Sequence, residues 1–91
     1  MNIIKLSAMP YAQAKVIKNE DGAIVLQSYQ TLVATISRDG WLSINGLYSA
    51  TTRKHIGAFV REYAHISYQL AKQLYEDGYL YNIYTGNFIK S

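Results

Sequence analysis

A single change of hydrophobic period divides this chain. Up to about residue 46 the apolar residues alternate, as they do on one face of a strand, and beyond it they recur every three to four positions, as along one face of a helix. The strand-like pattern comes first and the helical one after it, so the helices have to fold back onto a sheet that is largely encoded before them.

Within the first block, residues 11–18 carry Val16 and Ile17 and run into Asn19-Glu20-Asp21-Gly22, a turn sequence in which Gly22 is free to take positive φ. Residues 23–29 put Ile24, Leu26 and Ser28 on one face and Val25, Gln27 and Tyr29 on the other, which completes a hairpin. Residues 31–37 alternate Leu32, Ala34 and Ile36 against Thr31, Val33 and Thr35. Asp39-Gly40 then turns tightly into residues 41–45, and Asn45-Gly46 closes the block. The predicted product is an antiparallel meander of three or four strands with Leu32, Ile36, Leu42 and Ile44 in its core.

In the second block Ile56, Phe59, Val60 and Tyr63 stand at i, i+3, i+4 and i+7 and predict a helix over residues 48–63, with Ser49, Thr51 or Thr52 as its N-cap. A second helix is predicted from Ser67 through Tyr75, burying Leu70, Ala71 and Leu74 and stopping at Gly78. Residues 79–85 are rich in aromatic and β-branched side chains and read as a C-terminal strand, after which Gly86-Asn87 turns into Phe88-Ile89. The expected class is α+β, a single domain over residues 1–91 with two helices packed on one face of the meander.

Composition excludes several functions. The chain has no cysteine, so disulfides, thiolate metal sites and thiol nucleophiles are ruled out. No apolar run nears the roughly 18 residues that cross a bilayer, and the first residues lack the apolar segment of a signal peptide. The expectation is a cytoplasmic protein without membrane contact. Glycine-rich phosphate loops, Gly-x-Ser-x-Gly and His-Glu-x-x-His are absent. Glu62 and His65 have the Glu-x-x-His spacing of carboxylate metal bundles, but the chain offers few carboxylates to complete one. No metal, no cofactor and no enzymatic activity are expected. His55 reads as a surface or capping contact near the helix start, and His65 as a loop residue.

The outward face of the first helix is the candidate site. On a helical wheel Lys54, Gly57, Ala58 and Arg61 lie opposite the apolar stripe, with Arg53 to one side. Two cations thus flank two very small residues. Glycine in an exposed helix interior costs about 0.8 to 1 kcal/mol relative to alanine, and cations in the first turn oppose the helix dipole by a few tenths more. Stability alone would not select this face. The chain also holds nine tyrosines, five of them after residue 67. Tyrosine is enriched at interfaces, so Tyr81 and Tyr84 join Arg53, Lys54, Gly57, Ala58 and Arg61 as candidate partner-binding residues. The tyrosine-rich last strand also reads as an edge on which a second copy pairs to give a homodimer.

The segment Tyr48-Ser49-Ala50-Thr51-Thr52-Arg53-Lys54-His55-Ile56, followed by Phe59 and Val60, resembles the Tyr-Ser-x-Thr-Thr-x-x-His-Ile segment of small proteins carried by bacteriophages and prophages of Gram-positive bacteria, a domain of unknown function. Residues 32–42 are similar too, so the resemblance spans residues 30–65. It brings no catalytic residues to carry over. It implies an accessory protein that binds host machinery, defence systems included, and acts in the host cytoplasm.

Two readings stay open. In the first, the protein binds a host protein or complex, as an inhibitor, through its cationic helix face. In the second, the same cations meet the phosphates of a nucleic acid, although a net charge of +3 is well short of the dense Lys/Arg composition that argues for that by itself.

Overall fold

The computed structural model describes residues 2–7, 9 and 13–91. In chain order they form β1 (Asn2–Ile4), β2 (Ala14–Lys18), β3 (Ile24–Ser28), β4 (Thr31–Ile36), β5 (Trp41–Ile44), α1 (Ala50–Phe59) with a π-helical turn (Val60–Ala64) continuing it, α2 (Tyr68–Asp77), β6 (Tyr79–Asn82) and β7 (Phe88–Lys90). The class is α+β. All seven strands belong to one antiparallel sheet whose spatial order repeats the chain order, β1 to β7.

The meander is therefore larger than the three or four strands expected. β1 and β7 have three residues each, too few for an alternation to show in the sequence. β6 returns after both helices to pair with β5, so the C-terminal strand is part of the same sheet. The tyrosine-rich strand is not an edge, because β7 covers it. Tyr11 and Ala12 of the first expected strand lie outside the described residues.

The turns form as their residues dictate. Gly22 takes φ 95° and donates to the Asn19 carbonyl at 3.1 Å. Gly40 takes φ 94° and donates to the Ser37 carbonyl at 2.9 Å.

One core expectation fails for an identifiable reason. Leu26 pairs with Ala34, but Gln27 pairs with Leu32, which leaves Val33 as an extra residue on β4. This bulge turns Val33 inward beside Ala34 and flips Leu32 to the opposite face, where it is half exposed. Ile36 and Leu42 are buried as expected, and Ile44 is partly buried against the same core.

Both helices lie on one sheet face, α1 against β3 and β4 and α2 against β5 and β6. Ser49 is the N-cap of α1, its Oγ accepting from the Thr52 amide at 3.2 Å. Ile56, Phe59 and Val60 are fully buried among Leu6, Val16, Leu26 and Ile36, and Tyr63 is partly buried beside them. Each such aliphatic or aromatic side chain contributes about 1.5 to 3 kcal/mol to holding the helix on the sheet. The π-helical turn ends at His65, which takes the left-handed φ of 57° and directs the chain into Ser67. Ser67 Oγ caps α2 by accepting from the Leu70 amide at 3.1 Å, and Gly78, at φ 78°, ends it. Ala71 and Leu74 are buried, whereas Leu70 faces solvent, contrary to expectation. Among the described residues no helix is long and apolar enough to cross a membrane.

Candidate functional site

α1 presents two unlike faces, and the chain leading into it sets both. Tyr48 takes φ 43° and lays its ring over Gly46, where an added Cβ would come within 2.8 Å of the ring. Glycine lets the exposed Tyr48 ring settle there without first swinging aside.

The sheet-facing side of the first turns is polar, yet sealed. Thr52 and His55 are almost fully buried and meet buried Ser28 at the end of β3. Ser49 Oγ donates to Thr52 Oγ1 at 3.2 Å, Thr52 Oγ1 lies 3.0 Å from Ser28 Oγ, and Ser28 Oγ lies 2.8 Å from His55 Nδ1. If each hydroxyl donates to the next, the run ends on an imidazole that accepts at Nδ1 and is neutral. Burial lowers the His55 pKa from its ordinary 6.5, which favours that state. Tyr29, held at φ 56° in the β3–β4 turn, covers the imidazole with ring centroids 5.8 Å apart. His55 is thus an interior hydrogen-bonding residue, not the surface contact that its place near the helix start suggested. Thr52 and His55 of the Thr51-Thr52-x-x-His55 pattern anchor the helix start to the sheet, while Thr51 is exposed.

The opposite side of α1 holds a surface groove of about 490 Å³, lined by Met9, Arg53, Lys54, Gly57, Ala58, Arg61 and Tyr68. Arg53, Lys54 and Arg61 are exposed at its rim, and among the described residues none of their side chains makes a hydrogen bond or ion pair. No acidic residue occupies the first turn of α1 to offset Arg53 and Lys54. Gly57 and Ala58 form the floor. They are buried, not exposed as the helical wheel implied: Gly57 lies against Tyr68 at the start of α2, and Ala58 belongs to the core cluster.

A second hollow of about 410 Å³ adjoins the groove at Ala58 and Arg61 and adds Ser7 and Glu62. Glu62 Oε1 accepts from the Ser7 amide at 3.0 Å. Neighbouring Tyr63 has its hydroxyl pKa pushed up to about 12, first by burial and then by its hydrogen bond to Glu62 and that residue's charge. Among the described residues no three His, Cys, Asp or Glu side chains gather as a metal would require. His55, Glu62 and His65 are each engaged separately: His55 with Ser28, Glu62 with Ser7, and His65 in the backbone turn.

Five of the seven candidate partner-binding residues therefore meet in one place, Arg53, Lys54, Gly57, Ala58 and Arg61. Tyr81 and Tyr84 do not join them. Tyr81 pairs with Leu42 on β5 and packs against the core, while Tyr84 lies past the end of β6 against Gly40, largely exposed. Sequence reasoning missed Met9 and Tyr68. Tyr68 was missed because its contact with Gly57 is between helices, and a wheel drawn for one helix does not contain it. Met9 stands in no periodic pattern and gave no signal.

A family match covers residues 2–77, that is, everything from β1 to the end of α2. The chain belongs to DUF8033, a family of unknown function. Comparison with curated proteins and with solved structures gave no match. In this DUF8033 member the cationic groove and the sealed Ser49–Thr52–Ser28–His55 run both lie within the matched residues, and β6 and β7 follow them.

Proposed function

We propose that this protein is a small non-enzymatic binding module that receives part of a protein partner in the groove along α1. We place it as a phage-type accessory protein in the host cytoplasm, inhibiting a host or defence complex. The resemblance of residues 48–56 to small phage-borne proteins supports the host-directed part of this reading.

Gly57 carries the binding part. Helical glycine costs about 0.8 to 1 kcal/mol relative to alanine, so a packing constraint would be its ordinary reason. A Cβ at this position would lie 3.4 Å from the Tyr68 Cβ, an ordinary contact, and α2 does not demand glycine there. What a methyl group would remove is depth from the groove. Pull-down from bacterial lysate tests the reading: a host protein retained by the wild type should be lost with Lys54→Glu/Arg61→Glu. Retention by the double variant would move the site away from the groove.

The nucleic-acid reading keeps one observation in its favour, the three rim cations without acidic partners among the described residues. Titration of random duplex and single-stranded DNA with salt tests it, since two or three phosphate contacts give a log–log slope of roughly −2 to −3. Absence of binding at low salt removes it.

A further inference from the structure

We infer that the groove selects an acidic protein segment carrying one apolar side chain between two carboxylates. The inference rests on the binding reading above and names the chemistry of the occupant.

Its floor is apolar. Backbone at Gly57, the Ala58 methyl, the Met9 side chain and the Tyr68 ring offer nothing ionic to a ligand, and Met9 and Tyr68 also pack against the core below. A methionine in such a place adapts its three rotatable bonds to whatever apolar group arrives. The rim is cationic at both ends of this floor, with Arg53 and Lys54 at one end and Arg61 seven or eight residues further along. At 1.5 Å per residue these ends are about 10 to 12 Å apart. An extended segment spans that distance between positions i and i+3, and a helical one between i and i+7. In both cases the residues between the two carboxylates pass directly over Gly57 and Ala58.

The volume suits the same occupant. About 490 Å³ accommodates a large apolar side chain with its flanking backbone. The charge pattern also gives the segment a direction. Glu62 stands beside Arg61, and its carboxylate is already used by the Ser7 amide, so the net positive potential is greater at the Arg53 and Lys54 end. The more acidic end of the partner belongs there. A phosphate backbone fits less well, because it would place sugars over the apolar floor and a phosphate near Glu62.

Selection from a displayed random peptide library on the full chain tests this directly, with oligothymidylate as competitor. The expected result is enrichment of peptides with an aliphatic or aromatic residue between carboxylates. Their affinity should fall roughly tenfold with Arg53→Ala/Arg61→Ala, which removes two exposed ion pairs, and fall again at high salt. All three rim cations are exposed, so these variants should melt as the wild type does. Selected peptides that depend on Arg53 and Arg61 yet show no such pattern overturn the inference and leave the groove as a binding site. Peptides indifferent to both substitutions, or a selection that enriches nothing, overturn the inference and the binding reading together. Oligothymidylate displacing the peptides at matched charge assigns the groove to nucleic acid and overturns it as well.

Discussion

The two sides of α1 differ in a way that reverses what their residue types suggest. On the sheet side Thr52 and His55 are polar residues shut inside the protein, each with a hydrogen-bond partner. On the groove side Gly57 and Ala58 are small residues under a rim of exposed cations that have no partners among the described residues. Polar groups whose hydrogen bonds are made inside the fold serve stability. Charges left unmatched beside an apolar floor are available to something else. Substitutions on the two sides should therefore separate stability from binding.

The largest effect is expected on the sheet side. His55→Ala leaves a cavity and removes one of the two hydrogen-bond partners of Ser28, and should destabilise the fold by about 3 kcal/mol, read by urea denaturation. Retained stability would mean that the hydroxyl run does not hold the helix start. Next is pH. Because the folded His55 pKa lies below its ordinary 6.5, the imidazole is neutral in both states above that pH and its contribution is complete. As pH falls below 6.5 the unfolded chain binds the proton first and stability declines, until pH passes the folded pKa. The slope from this one proton cannot exceed about 1.4 kcal/mol per pH unit, and His55→Gln should flatten it.

Smaller effects are expected on the groove side. Gly57→Ala should be neutral to stabilising by up to about 1 kcal/mol, the helix-propensity gain being offset where the new methyl meets the Tyr68 Cβ at 3.4 Å, while weakening whatever binds. A gain in stability with binding unchanged would detach glycine from the groove's purpose. The Tyr68 hydroxyl is buried with no hydrogen-bond partner among the described residues, so Tyr68→Phe should be neutral or stabilising by up to about 1 kcal/mol. Arg53→Glu/Arg61→Glu should change stability least, within about 0.5 kcal/mol.

The same contrast explains what the sequence could show. Alternation and turn residues located β2 to β5, because Gly22 and Gly40 stand where the turns need positive φ. The 3.6-residue period located α1, and Ser49, Ser67 and Gly78 marked helix ends by local hydrogen bonding. The bulge at Val33 was not legible, since nothing in Leu32-Val33-Ala34 says which residue is extra until β3 is laid beside it. A wheel drawn for α1 alone does not contain the return of α2 against Gly57, nor Ser28, far away in the chain, beside His55. The rim cations were legible because exposure needs no partner to be predicted.

The sheet's spatial order also bears on how the domain comes to exist. Every strand pairs only with its neighbours in the chain, and the single long interval between paired strands is filled by the two helices. Contacts of short sequence separation close quickly and with little entropy lost in loops. The first five strands can thus pair in the order in which a ribosome releases them, before α1 has emerged. On that order the helices would close over a surface already laid down, and β6 and β7 would extend it last.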